Sequence, residues 1–88
     1  MTTDESKIRE KISQIAQGRR NVTFDDIHWV VKQIGGEVVR KTRHGYLFRV
    51  GSRRFMVNAH HPGSKQVKAY SVDDFLDAMR DLGWYGDS

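Results

Sequence analysis

Glu37-Val38-Val39-Arg40-Lys41-Thr42-Arg43-His44-Gly45-Tyr46-Leu47-Phe48-Arg49-Val50-Gly51-Ser52-Arg53-Arg54-Phe55-Met56-Val57-Asn58-Ala59 is the stretch that decides the fold. Its apolar residues recur every second position, the period of a half-buried strand. Tyr46, Phe48 and Val50 point one way; Leu47 and Arg49 point the other. Phe55, Val57 and Ala59 alternate with Arg54, Met56 and Asn58. Val38, Arg40 and Thr42 are expected on one side of a first strand, Val39 and Lys41 on the opposite side. His44-Gly45 reads as one turn and Gly51-Ser52 as a two-residue hairpin loop with glycine first. Three antiparallel strands result, with one apolar face and one face of cations mixed with a few apolar groups. His60-His61-Pro62-Gly63-Ser64 reads as a loop.

Helical patterns flank this meander. Ile8, Ile12, Ile15 and Ala16 form one stripe over about residues 5–17, ended by Gly18. Thr23 with Asp26 three residues later is a capping box in which aspartate replaces glutamate, and Val22 outside the cap can pack on Ile27. Phe24, Ile27, Val30, Val31 and Ile34 then line one face as far as Gly35-Gly36. Trp29 lies off this stripe; packing on the first helix is expected, and exposure on a partner surface is the alternative. Ser71 with Asp74 repeats the capping pattern, with Tyr70 stapling to Phe75. Val72, Phe75, Leu76, Met79 and Leu82 form the last amphipathic face, closed by Gly83. Trp84 and Tyr85 are expected to fold back onto the core, and the termini at 1–4 and 86–88 to be loose ends. The fold class is therefore α+β in two layers: a three-stranded antiparallel sheet packed on helices, with residues 1–20 as an N-terminal helical extension and 21–85 as the main domain.

Charge is placed as unevenly as hydrophobicity. Between Glu37 and Lys68 stand eight basic residues, Arg40, Lys41, Arg43, Arg49, Arg53, Arg54, Lys65 and Lys68, against the single acid Glu37, in a chain of net charge +4. The rest of the chain is net acidic. A concentrated basic field is what a polyanion requires, because phosphate binding is driven by counterion release. The chain has 88 residues and no cysteine, which sets aside disulfide frameworks and thiolate metal sites. Charges at Asp4, Glu5, Lys7 and Arg9 argue against a secretory leader, and no run approaches a membrane span. A cytoplasmic protein, monomeric when free, is expected.

Three of the four histidines fall within the basic field: His44, His60 and His61. Imidazole titrates near neutral pH, so it can move protons at a bound phosphodiester. Cleavage of RNA by internal attack of the 2′-hydroxyl needs a base, an acid and cations for the charge developing on phosphate. A histidine beside Arg43 supplies part of that set; a solvated turn histidine is the plainer reading of the same residue. The adjacent pair His60 and His61 lacks further ligands at metal-site spacing. His28 reads as a surface or boundary residue of the second helix. There is no glycine-rich phosphate loop and no serine–histidine–acid set. No cofactor or metal is expected.

The runs Asn21-Val22-Thr23-Phe24-Asp25-Asp26-Ile27, Thr42-Arg43-His44-Gly45-Tyr46-Leu47-Phe48, Gly51-Ser52-Arg53-Arg54 and Val57-Asn58-Ala59-His60-His61-Pro62 resemble the HicA-type toxins of bacterial toxin–antitoxin pairs. So does Val67-Lys68 leading into the Ser71 helix. The similarity spans about residues 22–84. It implies a fold like the double-stranded RNA-binding domain, a metal-independent endoribonuclease cleaving mRNA, and a HicB-type antitoxin that covers the active site. His44 matches the family's catalytic histidine at the start of the second strand, and His61 matches a second recurrent histidine. RNA contacts are expected from Arg40, Lys41, Arg43, Arg49, Arg53, Arg54, His61, Lys65 and Lys68. Thr42-Arg43 stands where the family has Gly-Ser, and Asn58-Ala59 replaces an apolar–proline step. A non-catalytic RNA-binding module of the same fold is the alternative, and a domain that binds an acidic protein is a third reading.

Overall fold

A computed structural model describes residues 5–61 and 63–86. Pro62 of the expected loop and the ends at 1–4 and 87–88 lie outside them. The order is α1 (Glu5–Gln17), a short 3-10 turn (Arg19–Asn21), α2 (Phe24–Gln33), β1 (Glu37–Lys41), β2 (Gly45–Val50), β3 (Arg53–Asn58) and α3 (Ala69–Asp81). The strands form one antiparallel sheet in the order β1-β2-β3. Helix α3 packs on β3, α2 packs on β2, and α1 lies against both helices. This is the expected α+β arrangement with an N-terminal helix.

One core joins the three helices with β2 and β3, while every residue of β1 is exposed. Phe48 stacks on Phe55 at 5.6 Å between ring centroids, and Phe55 meets Phe75 of α3 at 5.8 Å. Full burial of such a side chain contributes about 1.5–3 kcal/mol. Ile8, Ile12 and Ile15 of α1 belong to the same cluster as Val30, Val57 and Met79. The N-terminal helix is thus part of the core and not an appendage to it.

Helix ends are set by local hydrogen bonds. At the start of α2 the Thr23 hydroxyl accepts from the Asp26 N–H at 3.3 Å, and the Asp26 carboxylate accepts from the Thr23 N–H at 3.1 Å. At the ends of α2 and α3 the N–H groups of Gly36 and Trp84 reach back to the carbonyls of Val31 and Met79 at 2.7 and 2.8 Å. Gly35 and Gly83 enter the left-handed region between them, at φ 85° and 82°. This is the Schellman arrangement, which satisfies the last free carbonyls of a helix. It also turns Trp84 and Tyr85 back against the core.

Asp26 also holds α1 to α2 through the Lys11 ammonium, 2.9 Å away. Burial pushes the Asp26 carboxyl up, but the Lys11 ammonium and the Thr23 N–H outweigh it and leave it below its ordinary 3.8. A depressed carboxyl contributes stability above its unfolded pKa and loses it as pH falls through the folded value. Asp26→Asn should therefore cost about 1 kcal/mol at pH 7, the scale of a lost cap. In urea titrations the gap between wild type and variant should close as pH drops below about 4. A gap independent of pH would show that the carboxylate charge contributes nothing.

Four local expectations are corrected. The register of β1 shifts between Val38 and Arg40, a bulge that pairs Val38 with Phe48 but Arg40 with Leu47. The extra residue breaks the alternation, so Val38 joins the helix side while Arg40 joins the open face. Ser71 does not cap α3: the helix starts two residues earlier, at Ala69. Ser71 is fully buried instead, and its Oγ accepts from the Asn58 N–H at 2.9 Å. Tyr70 is consequently the second residue of the helix and 51% exposed, not a staple on Phe75. Trp29 faces away from the α2 core stripe and is 38% exposed.

Candidate nucleic-acid interface

The β1–β2 turn sits one residue earlier than the sequence suggests, because Gly45 belongs to β2. Thr42 and Gly45 bracket a two-residue tip of Arg43 and His44. The Thr42 N–H donates to the Gly45 carbonyl at 2.8 Å, and the Gly45 N–H donates to the Thr42 hydroxyl at 3.1 Å. The His44 carbonyl accepts from the Ala59 N–H, tying the tip to the end of β3. The backbone under His44 is therefore fixed on both sides while its ring is exposed.

Two concavities meet at His44. One, of about 320 Å³, is bordered by Lys41, Arg43, Lys65, Ser64 and the first turn of α2 at Phe24 and Asp25. The other, of about 450 Å³, is bordered by Asn58, His60, His61, Lys68 and Tyr70. The His60 and His61 rings lie 5.8 Å apart. Loop and strand ends are held in place by His60 N–H donating to the Gln66 carbonyl at 2.8 Å and Lys68 N–H donating to the Asn58 carbonyl at 2.9 Å. Four cations, Lys41, Arg43, Lys65 and Lys68, thus line the two concavities that share His44. Among the described residues no three histidine, aspartate or glutamate side chains come together as metal ligands.

The remaining cations lie elsewhere. Arg40, Arg49 and Arg54 project from the open face of the sheet, with Arg49 opposite Arg54 in the β2–β3 register. Arg49 pairs with Glu37. Arg49 stands five positions beyond His44, roughly 17 Å along a strand. Arg53 lies opposite Val50, on the helix side, with its Nε 3.2 Å from the Asp81 carboxylate. Arg49, Arg53 and Arg54, expected as RNA contacts, line neither of the concavities at His44. The alternation of β2 and β3 separates them from it, and salt bridges occupy two of the three.

Comparison with known protein families, curated proteins and solved structures returned no match. The site must be read from its own chemistry. Sequence reading overlooked three of its residues: Asp25, Asn58 and Tyr70. Asp25 was legible only as part of a helix start. Asn58 was visible only as a polar strand position. Tyr70 was masked by the capping pattern beginning at Ser71, whose hydroxyl is used in the core.

Proposed function

We propose that the chain is an endoribonuclease of the HicA-like toxin type, acting on mRNA and held inactive by a HicB-type antitoxin. One observation carries the reading: an exposed imidazole on a rigid tip, with four cations lining the two concavities that meet there. Lys41, Arg43, Lys65 and Lys68 bind the phosphodiester and offset the charge that builds on it. His44 takes the proton of the 2′-hydroxyl or delivers one to the leaving 5′-oxygen. His60 and His61 are the nearest candidates for the complementary proton transfer.

A second reading rests on the open sheet face. Arg40 and Arg54 are exposed there and line neither concavity at His44, so an RNA strand could be held without being cut. Incubation of the purified chain with a long transcript separates the two. Fragments support the nuclease; retarded but intact RNA supports the binding module.

Phosphate contacts carry a salt signature. Each contact on a single strand contributes about −0.7 to the slope of log K against log salt, so four contacts give roughly −3. Arg43→Ala should reduce that slope by about 0.7, as read by fluorescence anisotropy across a salt series. Binding indifferent to salt would remove the polyanion reading altogether.

A further inference from the structure

The concavity on the Tyr70 side of His44 is built differently from the other. Tyr70 is the most exposed of the large apolar side chains among the described residues, at 51%, yet it is held firmly. The Asn58 Nδ2–H donates to its phenol oxygen at 3.0 Å. The Lys68 ammonium sits over the ring, 5.6 Å from its centroid. The next residue, Ser71, is fully buried and bonded to the β3 backbone. A wet aromatic ring needs no such support for stability. A pre-positioned ring does suit a partner with a flat face, because little side-chain freedom remains to be lost on binding.

Unpaired nucleobases are recognised by stacking on aromatic side chains and by hydrogen bonds to their edges, whereas bases inside a duplex cannot be reached in this way. We propose that Tyr70 is a stacking platform for one base of an RNA strand whose phosphodiester lies at His44. Asn58 holds the ring in place, Lys68 meets an adjacent phosphate, and the phenol O–H remains as a donor to the base edge. The proposal rests on the RNA reading of the His44 site. It adds that this site takes an unpaired strand, with Tyr70 as the residue that requires it.

The test is fluorescence anisotropy with a labelled oligoribonucleotide carrying 2′-O-methyl groups, so that it cannot be cleaved by internal attack. Tyr70→Ala should weaken binding about 5- to 150-fold, the range for loss of one base stack. Tyr70→Phe should stay within about threefold of wild type, since the ring remains. Tyr70→Leu should resemble Tyr70→Ala. A strand with one abasic position at the stacked base should bind wild type more weakly and leave Tyr70→Ala unaffected, the mark of a direct pair. The same sequence annealed into a duplex should show no difference between wild type and Tyr70→Ala. If Tyr70→Ala fails to fold, Tyr70→Leu against the abasic strand carries the comparison. Should Tyr70→Ala and Tyr70→Leu bind like wild type while Arg43→Ala binds weakly, the platform is refuted and the RNA reading survives. Should wild type bind no strand at all, both fall together.

Discussion

Gly45→Ala should lower the melting temperature by more than about 12 °C, the expected result of at least ~3 kcal/mol lost from a domain of this size. A Cβ at Gly45 would stand 1.9 Å from the Val57 carbonyl oxygen and 2.8 Å from the Asn58 Cα. Both are backbone atoms, so no side chain can swing aside; strand β3 itself must move. Overpacking typically costs 1–3 kcal/mol, and more where the backbone must shift. A chain of 88 residues has only about 4–13 kcal/mol to lose. The same displacement would loosen the Arg43–His44 tip, since Gly45 closes it against Thr42. Gly18→Ala is the control: its nearest neighbour would be the Gln14 carbonyl oxygen at 3.6 Å, an ordinary contact. Thermal unfolding of both variants by circular dichroism decides the matter. A Gly45→Ala protein that melts with wild type would mean that β2 and β3 are not so closely apposed.

His44→Ala should abolish cleavage of RNA, with a loss on the order of 10²–10⁴ in rate, while RNA binding and melting temperature stay near wild type. The magnitude is that of one general acid or base. The fold should be indifferent because the ring is exposed and the contact of His44 with β3 is made by its carbonyl. Replacing the 2′-hydroxyl by hydrogen at the scissile nucleotide should block wild type equally, since the internal nucleophile is then gone. A folded His44→Ala protein that still cuts a transcript at full rate would exclude this histidine from the chemistry. One that binds intact RNA as wild type does, where wild type also leaves it intact, would favour the binding module.

How much of this was legible beforehand depends on the range of the forces involved. The Thr23–Asp26 box and the glycine stops at 35 and 83 act within about one helical turn, so residue order alone exposes them. The alternation through Tyr46–Val50 and Phe55–Ala59 likewise shows which face of each strand is buried. The bulge in β1 was hidden, because it arises from pairing with β2 and leaves no mark on the spacing of Val38, Val39 and Arg40. Gly45 looked like a turn glycine. Its real constraint is the carbonyl of Val57, twelve positions away along the chain.

From sequence alone came the α+β class, the element order and a basic field containing histidines, since each of these depends on neighbours a few positions apart. Tertiary structure alone decided which cations share a site with His44. It drew residues 23–25, 41–46, 58–61, 63–65, 68 and 70 to the two concavities at His44 and left Arg49, Arg53 and Arg54 out of them. Charge is countable along a chain, but the sharing of charge around one atom depends on strand register and helix packing, and these are fixed only when the whole core closes.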